Sequence, residues 1–267
     1  MNVLGLKLFA VLTMTIDHLG IVLNTLHNYR MTDDDLVHFT SDEYWYMRVI
    51  GRLAFPVFCF LIAEGCAHTK SIGKYILRLA VFALISQLPF QMFLQIRHGI
   101  TPFGENWFIY NSGNVIITLA LGALVVFFYS MFFKTNFIKR LLCGIGIIAA
   151  FLTVLLLDSE YDIYGLLLIL LIYAFRAKSS DAHDSMIYGN KYMQIITCTA
   201  LTFACYFFYY NQMRFTYLVL GATMSFLPLL LYNGKQAKRK MKWSFYVYYP
   251  SHLIVLFVIM YVYMTVM

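Results

Sequence analysis

Nine apolar runs, each close to the length of a membrane-spanning helix, restrict the fold of this chain more than any other feature. A transmembrane helix needs roughly 20 mostly apolar residues to cross about 30 Å of hydrocarbon. The runs are Leu4–Leu23, Ile50–Ala67, Tyr75–Gln95, Val115–Phe133, Ile138–Leu157, Ile163–Phe175, Tyr192–Tyr210, Phe215–Tyr232 and Phe245–Val266. Backbone groups in lipid must be satisfied within their own segment, and none of the runs alternates like a strand. We therefore predict an all-α fold, a polytopic transmembrane helix bundle.

The number of crossings depends on the sixth run. Because Ile163–Phe175 is short for a full crossing, eight spans with a re-entrant segment are an alternative to about nine, within a range of eight to ten. A soluble fold is excluded, since only 12% of the residues are charged, against about a quarter in soluble domains. No cleavage-site pattern follows the first run, so we interpret it as a retained span. We predict one transmembrane domain over residues 1–267.

The distribution of charge predicts the orientation. With the amino terminus inside, the inner segments hold 15 of the 20 basic residues, and the outer segments hold nine of the 13 acidic ones. The inner basic residues are Lys7, Lys70, Lys74, Arg78, Lys134, Lys139, Arg140, Arg176, Lys178, Lys191, Lys235, Lys238, Arg239, Lys240 and Lys242. The outer acidic residues are Asp33, Asp34, Asp35, Asp42, Glu43, Glu105, Asp158, Glu160 and Asp162. This separation predicts a cytoplasmic amino terminus in the cell (inner) membrane, with the basic clusters at anionic lipid and no nucleic-acid partner.

Charged and titratable groups within the first two spans are the candidate functional residues. Asp17 and His18 lie toward the outer end of the first span, where a carboxylate costs about 2.5–3.5 kcal/mol to insert. Adjacent helical positions point in different directions, so at least one of the two needs a partner on another helix. Arg52, at a similar depth in the second span, has the right sign, and we predict an Asp17–Arg52 pair. That pair leaves His18 to face a cavity; the alternative is a structural hydrogen bond between helices.

Further polar residues accompany these spans. Pro56 removes a backbone donor and is expected to bend the second helix, which frees the carbonyl of Arg52. Glu64 and His68 are four residues apart near the inner end, hence on one face. They are candidates for ligand binding. The alternative for Glu64 is that its carboxylate simply extends to the membrane–water interface. In the last span, Pro250 is expected to break the helix and to place His252 in the membrane.

No soluble catalytic signature is present. The chain has no zinc-type spacing of ligands, no P-loop and no nucleophile elbow, so we predict no metal centre and no nucleotide hydrolysis.

Several sequence blocks, taken together and in order, resemble the TraX family. They are residues 12–20 (LTMTIDHLG), 50–56 (IGRLAFP), 63–65 (AEG), 75–79 (YILRL), 231–235 (LYNGK) and 249–252 (YPSH). The family takes its name from a conjugation protein that acetylates the amino terminus of pilin. It is similar to a wider group of integral-membrane acyltransferases, which includes the lysosomal heparan-glucosaminide N-acetyltransferase and bacterial surface-polysaccharide O-acetyltransferases.

The resemblance implies an acyltransferase that uses acyl-CoA, most simply acetyl-CoA, and a membrane-embedded histidine. The acceptor it implies is an amine or hydroxyl of a peptide, pilin or glycan. On this basis we assign His18 as the general base, with Asp17 and Arg52 as orienting groups. The CoA phosphates are expected to meet an inner cluster. Its candidates are Lys70, Lys74, Arg78, Asn233 and Lys235, and the remaining site-lining candidates are Glu64, His68, Tyr249 and His252.

Two other functions fit an embedded Asp, His and Arg less well. A proton-coupled secondary transporter or flippase also uses such residues with proline-broken helices, but transporters of that kind usually have two related halves, and no internal similarity is visible. A structural assembly partner has no need for charges in hydrocarbon. We therefore rank the acyltransferase first and the transporter second.

Overall fold

The described part of the chain is helical. A computed structural model describes residues 1–29, 44–97, 112–176, 191–209, 216–235 and 242–266. Its helices are α1 Val3–Tyr29, α2 Trp45–Gly51, α3 Ala54–His68, α4 Ile72–Arg97, α5 Val115–Phe132, α6 Phe137–Leu156, α7 Asp162–Ala174, α8 Lys191–Tyr209, α9 Thr216–Thr223, α10 Phe226–Leu230 and α11 Lys242–Val266. Within these ranges the β-type pairing is a single bridge between Gly113 and Ser159. The all-α prediction is confirmed.

Each predicted apolar run corresponds to one helix or to a pair of consecutive helices. In the part of the chain that the structure describes, six segments are long and apolar enough to cross a membrane, and three shorter apolar helices accompany them. The helix ends lie within a few residues of the predicted ends for most runs; α1 and the α2–α3 pair extend further at their outer ends. The chain is a multi-pass membrane protein.

The sixth run forms the short central helix α7. Its 13 residues span about 20 Å, which is less than the hydrocarbon thickness. Leu166, Leu168, Ile169 and Ile172 on this helix are fully buried. Packed against α3, α5 and α8, α7 lies inside the bundle. By contrast α6 lies at the periphery, where apolar side chains such as Ile138 and Leu152 remain exposed.

Two of the predicted spans are interrupted, and one predicted break is absent. The helix of the second span is interrupted at Arg52–Leu53, directly before the helix that contains Pro56. An irregularity was expected here because Pro56 has no backbone N–H to donate. The helix of the eighth span is interrupted at Met224–Ser225, where no break was predicted. The prediction of a break at Pro250 is wrong, because α11 continues through this residue. Neighbouring helices can cover the carbonyl that such a proline leaves without its helical partner.

We call the end of the bundle at which α1 begins the inner end, in line with the predicted orientation. Backbone hydrogen bonds join this end of α1 to the segment after α10: Asn233 N–H donates to Met1 O (2.9 Å) and Val3 N–H donates to Lys235 O (3.2 Å). Several charges used to predict the orientation lie outside the described residues. They are Asp33, Asp34, Asp35, Asp42, Glu43, Glu105, Lys178, Lys238, Arg239 and Lys240.

Candidate functional site

Two histidines from opposite ends of the chain meet inside the bundle. His18 Nδ1 on α1 lies 2.8 Å from His252 Nε2 on α11. The two rings are stacked, with centroids 5.0 Å apart, and Phe93 of α4 packs in a T-shaped arrangement with His18 at a centroid distance of 5.5 Å. His252 is buried, whereas His18 is only partly buried. The rings of Tyr249 and His252 form a T-shaped pair with centroids 5.4 Å apart. The predicted residues His18, Tyr249 and His252 therefore lie in one site.

The hydrogen bonds of this pair define which ring nitrogen is basic. His252 Nδ1 lies 3.1 Å from the backbone carbonyl of Tyr248, which only accepts, so Nδ1 carries the proton. In a neutral His252, Nε2 is then the acceptor, and His18 Nδ1 must donate to it. A neutral His18 consequently has its lone pair on Nε2. The pair thus fixes His18 in the tautomer whose second nitrogen can take a proton from another group.

The partner of Asp17 is Arg48, and the predicted Asp17–Arg52 pair is wrong. Arg48 Nη1 donates to Asp17 Oδ2 over 2.7 Å, and both side chains are mostly buried. Arg48 and Arg52 are four residues apart on α2 and its extension, since Arg52 N–H donates to Arg48 O. Two arginines one helical turn apart were thus available to Asp17. Arg48, on the part of the second span that packs against α1, is the one that reaches it.

Small residues allow this close crossing of α1 and α2. A Cβ atom on Gly51 would overlap the side chain of Asp17, and a Cβ on Gly20 would lie 2.8 Å from Cβ of Met47. Gly51 is thus required for the approach that brings Asp17 within reach of Arg48. The ion pair and the crossing depend on each other.

Arg52 instead points to the loop between α6 and α7. Its Nη1 donates to Tyr161 Oη over 3.2 Å, and the Tyr161 ring stacks on Phe55 with centroids 3.5 Å apart. Tyr161 has φ of 68°, and Asp158 and Asp162 in the same loop also have positive φ. Such backbone strain in non-glycine residues persists only where surrounding structure holds it, and it is often found at functional sites. This loop therefore brings a rigid aromatic hydroxyl to Arg52.

The same loop places Glu160 among the arginines. Burial raises the pKa of the Glu160 carboxyl, while the positive charges of Arg97, Arg52 and Arg48 act in the opposite direction and Asp17 reinforces the rise. Its backbone is fixed as well, because Glu160 N–H donates to the carbonyl of Gly113 over 3.0 Å. The outer side of the site therefore combines three guanidinium groups with two carboxyl groups.

Replacing Glu160 by Gln is expected to stabilise the protein at neutral pH and to leave it unchanged near pH 4. A carboxyl whose pKa is raised in the folded state penalises folding once the pH exceeds its usual value of about 4.3, and no penalty exists where both states are protonated. Unfolding in detergent at the two pH values measures the difference. Equal effects of the substitution at both pH values would contradict a raised pKa.

A second polar group lies at the inner end. Arg176 Nε donates to Glu64 Oε1 over 2.8 Å, and Arg176 Nη2 lies 3.2 Å from His68 Nε2. His68 Nδ1 lies 3.6 Å from Glu64 Oε2, so the predicted shared face of Glu64 and His68 is confirmed. Tyr232 Oη donates to Glu64 Oε2 over 3.4 Å. These residues belong to a group separate from His18.

This group borders a cavity of about 350 Å³ at the inner end. Its lining consists of Phe60, Glu64, Arg176, Gln194, Tyr232, Asn233 and Gly234. Val3 of α1 lies at the same end of the bundle as this cavity, because its N–H bonds to the segment that follows Asn233. Val3 is 15 residues before His18 on α1. At 1.5 Å per residue, about 22 Å separate this level from the imidazole. A donor that enters here has to extend along the bundle to reach His18.

The residues predicted to bind phosphate are distributed over the inner surface. Lys70, Lys74 and Lys235 are exposed, and Arg78 lies over the ring of Tyr75 at 5.9 Å. Asn233 lines the cavity and its side chain accepts a hydrogen bond from the backbone N–H of Lys235 over 3.1 Å. Among the described contacts, no hydrogen bond or ion pair joins Lys70 or Lys74 to Asn233 or Lys235. Only Asn233 of this set lines the cavity.

Sequence reasoning missed five residues of these two groups: Arg48, Arg97, Glu160, Tyr161 and Arg176. Arg48 had a visible signal, since two arginines one helical turn apart open the second span. Arg176 and Glu160 were interpreted only as charges that set the orientation. In the described ranges, no group of three or more His, Cys, Asp or Glu side chains is arranged to hold a metal ion.

Comparison with known proteins gives a family and two relatives. The family model described as TraX protein matches residues 4–260. A probable fimbrial assembly protein, FimC, of Dichelobacter nodosus is 32% identical over 124 residues, which are 45% of this chain and 43% of that protein. An uncharacterized protein of Rickettsia prowazekii (strain Madrid E) is 26% identical over 189 residues, 59% of this chain and 68% of that protein. The match thus covers less than half of the first relative. No solved structure matches significantly.

Proposed function

Because the chain belongs to the TraX family, we propose that it is an integral-membrane acyltransferase that moves an acetyl group from cytoplasmic acetyl-CoA to an amine or hydroxyl. The observation that carries this proposal is the His18–His252 pair, which leaves His18 Nε2 as a base beside arginines. Acyl transfer to such an acceptor requires a base for the acceptor's proton and positive groups at the developing oxyanion. We assign the first role to His18 and the second to the neighbouring arginines.

In the proposed reaction His18 moves one proton in each direction. Its Nε2 accepts the proton of the acceptor's N–H or O–H as that atom forms a bond to the thioester carbonyl carbon. When the carbon–sulfur bond breaks, the imidazolium returns the proton to the departing CoA sulfur. His252 accepts the hydrogen bond from His18 Nδ1 throughout, so it orients the ring and stabilises the positive charge. His252 is therefore a positioning residue.

Arg52 and Tyr161 are the proposed stabilisers of the carbonyl oxygen. Arg52 is fixed by its hydrogen bond to Tyr161, and Tyr161 is fixed by its stack on Phe55. Donors fixed before the reaction stabilise an oxyanion without reorganising, and removal of one such donor typically costs a factor of about 10²–10³ in rate. Asp17 contributes by holding Arg48 in place and has no proposed contact with the reacting atoms.

The inner cavity is the proposed entry for the donor. Arg176 and Asn233 offer a cation and an amide to a phosphate or a nucleotide base, and Lys70, Lys74 and Lys235 are exposed at the same end of the bundle. A cavity of about 350 Å³ has room for part of a CoA molecule. The remaining acyl-bearing arm would extend between the helices toward His18.

The location and the acceptor class are inferred from the family and from one relative. The charge distribution supports a cell (inner) membrane location with the donor on the cytoplasmic side. The name of the Dichelobacter nodosus relative supports an acceptor connected with fimbriae, such as a pilin or another exported peptide. A surface glycan is the other acceptor that the family suggests.

Titration of the purified full chain with acetyl-CoA tests the donor. We expect saturable binding that CoA competes for, and Arg176→Gln is expected to weaken it about tenfold, because a charged hydrogen bond to phosphate contributes about 1.5–3 kcal/mol. Arg140→Gln is the matched control, since the Arg140 side chain is exposed at the inner end and, among described contacts, donates to the nearby carbonyl of Thr135. Absence of saturable binding by the wild type would remove the acyl-CoA proposal.

A further inference from the structure

We propose that the acceptor carries an anionic group, a carboxylate or a phosphate, next to its nucleophilic atom, and that Arg48 and Arg97 bind this group next to His18, in the outer half of the bundle. This inference rests on the proposed acyltransferase function, but the binding it predicts is measurable without turnover. It restricts the acceptor to one chemical class.

The position of the two arginines supports this assignment. Phe93 contacts the His18 ring, and Arg97 lies four residues later on α4, hence on the same face and one turn nearer the outer end. Arg48 lies one turn outward from Arg52 on the second span. The Arg97 position is thus beyond the imidazole, and the Arg48 guanidinium lies beside it at Asp17, both away from the inner cavity that we assign to the donor.

The hydrogen-bonding capacity of Arg48 supports it further. A guanidinium has five N–H donors, and Arg48 uses Nη1 for Asp17 Oδ2. The fixed geometry of this ion pair prepares the remaining donors for a planar anion, which arginine binds in a bidentate manner. Gly51 permits this ion pair, because a Cβ atom at this position would overlap the Asp17 side chain.

The charge of the site excludes a purely cationic acceptor head. Arg48, Arg52 and Arg97 provide three positive charges near Glu160 and Asp17, and burial disfavours the ionised form of Glu160. Three positive charges against at most two negative ones leave these five side chains with a net charge of at least +1. An ammonium group without a neighbouring anion would be repelled, whereas a carboxylate or phosphate close to the nucleophile would be attracted.

Binding of short amphiphiles to the purified full chain tests the proposal. The probes are octyl phosphate and octanoate, with octanol and octylamine as chain-matched controls, and the readout is the ligand-dependent shift of the unfolding midpoint. We expect both anions to bind the wild type at least tenfold more tightly than octanol or octylamine. The ratio of octyl phosphate to octanoate affinity distinguishes a phosphate from a carboxylate acceptor.

Variants locate the binding. Arg97→Gln changes an exposed residue at a helix end, so the variant is expected to fold. It should weaken the binding of both anions about tenfold. Arg48→Lys should cause a similar loss, because it keeps the positive charge but lacks the paired N–H donors of the guanidinium group. Arg140→Gln, at the inner end, should leave their affinity unchanged. The proposal is overturned if the anions bind no better than octanol, or if Arg97→Gln weakens acetyl-CoA instead of the anions. Intact anion binding without any acetyl transfer would contradict the proposed function alone.

Discussion

Substitution of His18 by Gln is expected to lower acetyl transfer by about 10²–10⁴-fold while acetyl-CoA still binds. Removal of a general base has an effect of this size, because the acceptor then has no group that takes its proton in the transition state. Gln retains a similar size and hydrogen-bonding groups, so the contact with His252 can persist. Turnover and donor affinity are measured separately, since a base that does not hold the donor should affect only the former.

Two further variants separate the base from its support. His252→Gln leaves a carbonyl oxygen that can accept from His18 Nδ1, so it should lose less activity than His18→Gln. His27→Gln, the same substitution in the last turn of α1, serves as the control and should keep wild-type turnover. If His18→Gln retained full turnover, the imidazole pair would be a structural contact between α1 and α11.

Arg48→Leu is expected to destabilise the fold by about 3–5 kcal/mol, because it leaves the carboxylate of Asp17 buried without its cation. Asp17→Asn combined with it should recover part of this loss, since no isolated charge then remains. The measurement is a double-mutant cycle on the free energy of unfolding in detergent, with a coupling energy of about 0.5–3 kcal/mol expected for residues in contact.

A second double-mutant cycle, matched to the first, tests Asp17 with Arg52 instead of Arg48. Arg52 donates to Tyr161, so Arg52→Leu and Asp17→Asn are expected to be additive within about 0.5 kcal/mol, although the two arginines differ by only one helical turn. Strong coupling of Asp17 to Arg52, together with additivity for Arg48, would show that the observed pairing is wrong. This comparison therefore decides which arginine is the ion-pair partner of Asp17.

The fold was predictable because lipid requires long apolar runs, and their ends are visible in the sequence. The interruption before Pro56 followed from a missing backbone donor. The uninterrupted course of α11 through Pro250 was not predictable, because it depends on packing against neighbouring helices. The same is true of the interruption at Met224–Ser225.

The members of the site were more predictable than their pairing. Asp17, His18 and His252 stand out because titratable groups are rare in hydrocarbon. Their partners depend on how helices cross: Gly51 lets α2 approach Asp17, and this crossing selects Arg48. The contribution of Glu160 and Tyr161 required the strained loop between α6 and α7, whose conformation no sequence pattern indicated.

The most direct test of the account uses sealed inside-out vesicles that contain the full-length chain and receive radiolabelled acetyl-CoA on the exposed cytoplasmic face. Wild-type vesicles should transfer the acetyl label covalently to a membrane or luminal acceptor, and vesicles with His18→Gln should bind the donor without transferring the label. Proton- or solute-driven flux without covalent label, unaffected by acetyl-CoA, would contradict the account and identify a transporter.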